Sequence, residues 1–530
     1  MKLDIIALVT LVLITGFVAV RMVDFSISPF EDAAMLMRHA DHLAHGQGIV
    51  WNVGEPPVDG ATDFLFLLVV GLLRWIGFSI NSAVLLITVI SHFVTVCLIY
   101  IGMRRVQQSG IIPAFLSALY FAVGPGLFLC AAYLGTPFFT LGVALCWLLA
   151  QRLLLPQSRN VSAYISFSAA CLAASLIRPE GVLISVFILG AVSILIPRSE
   201  LRRLISVFAS VFLLLGGLYF FWHWSYFGYP LPNPFYKKGG GLLHIDALKS
   251  SVRNSLWLGF PFIPFFLLAV RSRQSLRRGI AFLIPIVGAT CMWVLISDEM
   301  NFGHRFQYPI LALYILSWYP LLRREPEDFQ FPRFASFNKM QKAAIILITI
   351  TIIAPIFERN ILYSRSITYE HDGRVEIGMM LSKYAYRRYT IATTEAGILP
   401  LYSKWRTIDT WGLNDRWIAH AGGLTYEYLS CQKPDVIMWH EYFSPICPPS
   451  VKRLHHPWFK MVMTLKKYAE KNNFTLAAVF GAKPDETHYY YVRPDLPEHD
   501  EIVDSIRHCT YFWPMNGKIA TNYAPMTQKE

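Results

Sequence analysis

The stretch FLFLLVVGLLRWIGF, residues 64–78, decides how the chain is folded. It is apolar apart from Arg74, and whether it crosses a bilayer sets the side of every loop that follows. A full crossing needs about 20 residues, so a run this short with an arginine inside reads as an interfacial or re-entrant helix. Read as a span, it would invert all later loops and move the arginine clusters to the outer side.

Working outward from that choice, the other apolar runs predict about eleven spanning helices. They fall at roughly 4–22, 82–103, 111–128, 135–154, 162–177, 181–197, 204–226, 256–270, 279–296, 305–322 and 342–361. With the N-terminus inside, Arg104, Arg105, Arg152, Arg159, Arg198, Arg202 and Arg203 lie in inner loops. So do Arg271, Arg273, Arg277, Arg278, Arg323, Arg324, Arg333, Lys339 and Lys342, as the positive-inside rule requires. The first run lacks a small-residue cleavage pattern and reads as a retained helix. The outer segments are then 23–81, 129–134, 178–180, 227–255, 297–304 and everything beyond about 362.

Composition agrees. Of 530 residues, 54% are hydrophobic and only 15% charged, with a mean hydropathy of +0.42, too apolar for a soluble chain of this length. The formal charge of +12 is carried largely at helix ends, and no motif points to nucleic acid. Five cysteines (Cys97, Cys130, Cys146, Cys171, Cys291) lie in apolar runs as packing residues. A Cys431–Cys447 disulfide stays open if the C-terminal part is extracytoplasmic.

The chain divides into a membrane part, 1–362, and a C-terminal part, 363–530. In the latter, strand-like runs alternate with helical patterns such as 458–471. YTIATTEAG (389–397), RTIDTWG (406–412), PDVIMWH (434–440), FTLAAVFG (474–481) and HYYYVRP (488–494) predict a small α/β domain.

The first outer loop holds the chemistry. FEDAAMLMRHADHLAHGQGIVWN (30–52) predicts an amphipathic interfacial helix that opens on Glu31 and Asp32, with its carboxylates toward a cavity. Carboxylates also suit a helix N-terminus in water, so this pair alone does not define a site. Other outer segments add cations: Arg178 beside Glu180 in RPEG (178–181), His304 and Arg305 in DEMNFGHRF (298–306), Lys237 and Lys238 in GYPLPNPFYKKGGG (228–241). Snorkelling or local pairing would equally account for each. Together, carboxylates and cations at membrane level suit a transfer in which a base activates a hydroxyl and cations hold a phosphate leaving group.

The order of motifs resembles the GT-C superfamily of polyprenyl-phosphate-sugar-dependent glycosyltransferases, in particular the group of mycobacterial terminal arabinofuranosyltransferases. The likeness runs through EDAAMLMRHADHLAHGQGIVWNVGEPPVDGATDFLF (31–66), YLGTPFFTLGVAL (133–145) and LIRPEGVLI (176–184). It continues through YFGYPLPNPFYKK (226–238), GHRFQYPILAL (303–313) and TTEAGILPLYSKWRTIDTWGLNDRWIA (393–419). Glu31 stands where that pattern has its first Asp, Ala34 where it has Tyr, and Asp63 where it has Asn.

The resemblance implies a bacterial inner-membrane enzyme with a periplasmic active site. It would move a sugar from a polyprenyl-phosphate donor to a hydroxyl of an envelope glycan, glycolipid or protein. Asp32, or else Glu31, is then the expected base. Arg178, His304, Arg305 and Lys237 are expected at the donor phosphate. Arg38, His39, Glu180, Asn233, Glu395, Asp409, Asn414 and Asp415 are expected around acceptor or substrate, although Asp409, Asn414 and Asp415 also suit turns and caps. No ligand spacing demands a metal, and a divalent cation at Glu31/Asp32 stays open. The rival classes are a lipid-substrate transporter or flippase, and a non-catalytic assembly protein. A transporter predicts ionisable groups in mid-span and broken helices, whereas the charge here gathers in loops.

Overall fold

A computed structural model describes residues 2–25, 28–238, 242–268, 273–298, 300–322, 340, 343, 373–448, 456–483, 486–513 and 518–523. Apart from residue 343, the expected span at 342–361 lies outside the described residues, as do Arg271, Arg323, Arg324, Arg333, Lys339 and Lys342.

In chain order the helices of the membrane part begin with α1 (Lys2–Met22), α2 (Glu31–Ala44), α3 (Phe64–Trp75), α4 (Ile80–Arg105), α5 (Ile111–Ala122) and α6 (Gly126–Ala131). They continue with α7 (Thr136–Leu153), α8 (Val161–Ile177), α9 (Glu180–Leu195), α10 (Arg198–Val211) and α11 (Gly217–Phe227). Last come α12 (Asn233–Lys237), α13 (Ile245–Gly259), α14 (Ile263–Leu268), α15 (Arg273–Cys291) and α16 (Tyr308–Leu322).

Among the described residues, six helical stretches are long and apolar enough to cross a membrane: 2–21, 80–105, 111–131, 136–153, 198–227 and 276–294. The helices at 161–177 and 180–195 are apolar but shorter. The run expected to span at 256–270 is divided, because α13 ends at Gly259 and α14 begins at Ile263.

The stretch at 64–78 folds as α3, 12 residues and therefore about 18 Å long, well short of a bilayer core. Its arginine is not stranded: Arg74 pairs with Asp41 of α2 at 2.6 Å. The two helices pack together at the same end of the bundle.

Two buried glutamines meet one backbone need inside the bundle. Pro320 within α16 has no N–H for the carbonyl of Leu316. Gln107 and Gln151 supply the missing donors at 2.7 and 2.8 Å. An unsatisfied carbonyl in an apolar bundle costs several kcal/mol, which explains two glutamines in otherwise apolar surroundings.

The C-terminal part is an α/β sheet domain. It contains α17 (Gly373–Ser382), β1 (Thr390–Thr393), α18 (Ile398–Ser403), β2 (Arg406–Asp409), α19 (Arg416–His420) and α20 (Tyr426–Gln432). These are followed by β3 (Val436–Glu441), α21 (His456–Lys471), β4 (Thr475–Lys483), β5 (Glu486–Val492) and α22 (His499–Arg507). Three short strands close it: β6 (Phe512–Trp513), β7 (Lys518–Ile519) and β8 (Thr521–Asn522).

Six strands form one mixed sheet in the order β2-β1-β3-β5-β4-β8, parallel from β2 to β3 and antiparallel beyond. Alternation along each strand divides the core between the two faces. Ile391, Met438 and Tyr490 pack on one side; Ala392, Ile437, Trp439 and Tyr489 pack on the other. Cys431 and Cys447 are separate thiols, so the disulfide left open by the sequence is not formed.

The domain is docked through its edge. Strand β2 would leave Thr407 with open backbone groups, and the side chain of Asn52 fills the place of a neighbouring strand. Thr407 N–H donates to Asn52 Oδ1 at 2.9 Å, while Asn52 Nδ2 and Trp51 Nε1 donate to Thr407 O at 3.0 and 2.9 Å. The first loop is thereby fixed between the helices and the sheet.

Candidate active site

Helix α2 starts at Glu31, whose preceding residue Phe30 is anchored twice. Its N–H donates to Ala132 O at 3.3 Å, and its ring stacks on Phe302 at 4.3 Å. Successive residues on a helix are turned by about 100°, so the two adjacent carboxylates cannot share one environment. They do not.

Glu31 faces the C-terminal domain. Its Oε2 accepts from the N–H groups of Gly397 and Ile398 at 2.6 and 3.1 Å, and Oε1 pairs with Arg374 at 2.6 Å. Gly397 is required there: a Cβ would stand 2.1 Å from the backbone oxygen of Glu31. The expectation that both carboxylates face the cavity is thus corrected for Glu31, which clamps α2 to the start of α18.

Asp32 does face the cavity, a pocket of about 430 Å³ between the first loop, the bundle and residues 231–238. Its ionisable lining consists of Asp32, Asp63, Arg178, Glu180, Lys238, His244 and Arg305. Leu36, Phe66, Leu183, Leu231, Phe235, Trp293 and Phe306 make much of the rest apolar, and Leu413 closes it from the C-terminal domain. Asp32 is ion-paired with Arg305 and keeps 26% of its side chain accessible. Arg178 sits between Asp63 at 3.1 Å and Glu180 at 3.0 Å.

The surroundings shift the two carboxyls in opposite directions. Burial pushes the Asp32 carboxyl up, but the charges of Arg305, Lys238 and Arg178 outweigh it and hold its pKa below the ordinary carboxylate value. At Asp63 burial prevails over Arg178, with Glu180 adding to it, and the pKa is raised. Arg178 is cationic: the charges of Asp63 and Glu180 overcome burial and raise its pKa. An ionised carboxylate beside two buried guanidinium groups is an arrangement suited to a base next to an anion-binding locus.

The other expected residues are distributed as follows. Of the four cations expected at a phosphate, Arg178 and Arg305 line the cavity. Lys237 and His304 do not: Lys237 lies over the Trp411 ring at 4.2 Å and His304 beside Trp257 at 5.4 Å. The cavity lysine is the next residue, Lys238. Arg38 is buried and donates to Trp51 O at 2.9 Å, Trp405 O at 2.8 Å, Asn52 Oδ1 at 3.2 Å and Pro400 O. His39 meets Asn414 Oδ1 at 3.0 Å.

Asp409 accepts from Trp411, Gly412 and Asn414 N–H groups, and Asp415 caps α19 through Ile418 N–H at 3.0 Å. These residues build the interface and its turns rather than the cavity wall. Asn233 opens α12 with its N–H on Asp59 O at 3.0 Å, and Glu395 pairs with Arg374 at 3.0 Å.

Asp63, Lys238, His244 and Arg374 were not singled out as site residues in the sequence. Asp63 carried a usable signal, a carboxylate immediately before an apolar helix. Lys238 and Lys237 are indistinguishable without the turn that ends α12.

The Glu31/Asp32 pair does not fit a divalent cation in this arrangement, since each carboxylate is turned to a different arginine, Arg374 and Arg305.

A family model described as a domain of unknown function (DUF8728) matches residues 360–493. No curated protein matches the sequence. Among solved structures, ArnT from Cupriavidus metallidurans in the apo state is similar at TM-score 0.54 and 13% identity, over 92% of this chain and 97% of that one. The same protein bound to undecaprenyl phosphate gives 0.55 at 12% identity, with the same coverage. The Archaeoglobus fulgidus oligosaccharyltransferase in the apo form gives 0.52 at 11% identity, over 92% of this chain and 75% of that one. At such identities the likeness is one of architecture, and it extends over nearly the whole chain: this protein has the fold shared by ArnT and the archaeal oligosaccharyltransferase.

Proposed function

We propose that the protein is a membrane glycosyltransferase that moves a sugar from a polyprenyl-phosphate donor to a hydroxyl of a cell-envelope glycan, glycolipid or protein. The observation that carries this reading is the placement of Asp32, Arg305 and Arg178 around one largely apolar cavity at the polar end of the bundle. A solved relative by fold, ArnT, is described with undecaprenyl phosphate bound, which supports a lipid phosphate as the anion.

In this reading residues 1–362 form the membrane catalytic part of a bacterial inner-membrane protein. Residues 363–530 stand on the periplasmic side and help bind the acceptor. The donor phosphate enters between Arg305, Arg178 and Lys238, and the apolar wall takes the first part of the lipid.

Asp32 is the base. The phosphate draws Arg305 away from Asp32, which raises the basicity of the carboxylate at the moment substrate is present. The acceptor hydroxyl gives its proton to Asp32, and its oxygen forms the bond to the anomeric carbon. The bond from that carbon to the phosphate oxygen breaks, and its electron pair leaves on polyprenyl phosphate. Glu31 acts at one remove, holding α2 in position. No step here is routed through a metal ion.

The test is transfer by purified, reconstituted protein offered a panel of polyprenyl-phosphate sugars. Asp32→Asn is expected to lower transfer by about 10²–10⁴-fold with donor binding kept, the range for loss of a general base. Transfer equal to the parent in that variant would remove Asp32 from the mechanism.

A further inference from the structure

A second cluster, inside the C-terminal domain, has chemistry of its own. In the antiparallel pair β3/β5, His440 stands directly opposite His488. Directly opposed residues project on the same face of a sheet, and these two imidazoles lie 5.0 Å apart, edge to face. Strand β1 runs parallel to β3 on its other side, and the turn that follows it delivers Glu395 to the same point. One ligating atom from each of the three residues lies within 4.8 Å of the others.

We infer that Glu395, His440 and His488 form a binding site for a divalent transition-metal ion of the zinc type. Two imidazole nitrogens and one carboxylate are a donor set that favours zinc over the oxygen-preferring magnesium and calcium. Ligand atoms of a tetrahedral zinc site stand about 3.3 Å apart. The Glu395 Oε1 and His440 Nδ1 atoms are already at 3.2 Å, so only His488 has to move inward.

The surroundings are those of ligands held in place. His488 Nδ1 faces Tyr511 Oη at 2.5 Å, which leaves Nε2 as the ring's ligating atom and fixes the ring as outer partners fix metal-bound histidines.

Arg374 bridges Glu395 at 3.0 Å and Glu31 at 2.6 Å. An ion bound here would therefore stiffen the contact that holds α2, one residue from Asp32. Binding itself does not depend on the proposed transfer reaction and is measured without it.

The experiment uses the full chain in detergent, purified without a histidine tag and stripped with a chelator, then titrated with Zn²⁺ alone. Bound metal is counted by mass spectrometry, and Co²⁺ replaces Zn²⁺ for its visible ligand-field spectrum. One ion per chain is expected, with a tetrahedral cobalt spectrum. Tyr511→Phe should weaken binding by about 10–100-fold, and His440→Asn by at least as much. His440 is the less buried of the two histidines, so its variant remains informative if His488→Asn fails to fold. Absence of bound zinc in the parent overturns the inference. Undiminished binding in folded His440→Asn also overturns it, by placing the ion elsewhere.

Discussion

Arg305 closes on Asp32 across 273 positions of sequence, joining the first turn of α2 to the segment just before α16. The pair decides how the proposed base behaves with pH. In the free protein Asp32 is held below the ordinary carboxylate value, so the acid limb of kcat/KM, which reports free-enzyme ionisations, should lie below that value too. In Arg305→Gln burial acts without its nearest opposing charge, and the limb is expected to move to higher pH. Profiles of kcat/KM between about pH 3 and about pH 8 for both proteins check this. An unmoved limb would mean that another group limits activity in acid.

The docking of the C-terminal domain depends on Arg38. Its guanidinium donates to Trp51, Trp405 and Pro400 carbonyls and to Asn52, bridging the first loop and the sheet domain. Arg38→Ala leaves buried acceptors unpaired, at about 1–3 kcal/mol each, so a loss of about 3 kcal/mol or more is expected. Arg38→Lys should recover only part of it, because an ammonium lacks the planar fork that reaches several acceptors. Thermal unfolding of the three proteins, with proteolytic release of the domain as a second readout, measures the effect. Equal stability of the Lys variant and the parent would show that charge alone is needed.

A different kind of contact is tested at Gly397. An added methyl would meet the backbone oxygen of Glu31 at 2.1 Å, and backbone cannot rotate out of the way. Gly397→Ala is expected to push α2 from the domain, lowering the melting temperature and transfer together. Gly16→Ala is the control: no atom lies within 4 Å of its Cβ, and alanine favours helix by about 1 kcal/mol. If Gly397→Ala melts and transfers like the parent, the Glu31 clamp has no mechanical role.

These contacts explain which parts of the fold were legible in the sequence. Strands β1 and β2 fall within the expected runs and β3 to β5 overlap theirs, each running one or two residues past an edge, because alternation and β-branched residues mark them locally. The short helix at 64–75 was legible from length and Arg74. The break at 259–263 was not, since the apolar run continues through it and hydropathy does not register a turn.

At the site, Arg178 and Arg305 were found because arginine beside an apolar segment is unusual. Lys237, His304 and Glu31 were each placed on the wrong wall by a rotation of about 100° or by one residue of register. Arg38 and His39 look chemical in the sequence and prove to be interface groups, which only long-range pairing reveals, whereas Asp409 organises its own local turn.

The same interface should make the protein sensitive to acid. His39 is buried against Asn414, and burial brings its pKa down to about 4 from 6.5. His42, bonded to Val50 O at 2.9 Å, is likewise brought down to about 4 by burial, with the Arg38 charge adding to it. Each ring is neutral when folded and free to take a proton when unfolded. Stability from both is therefore complete above the unfolded value near 6.5 and is lost as pH falls toward about 4. Each contributes a slope of about 1.4 kcal/mol per pH unit in that window. Melting temperatures measured across it should fall less steeply for His39→Gln than for the parent, even if the variant is less stable at neutral pH. Parallel curves would show that His39 does not titrate with unfolding and that the acid sensitivity lies elsewhere.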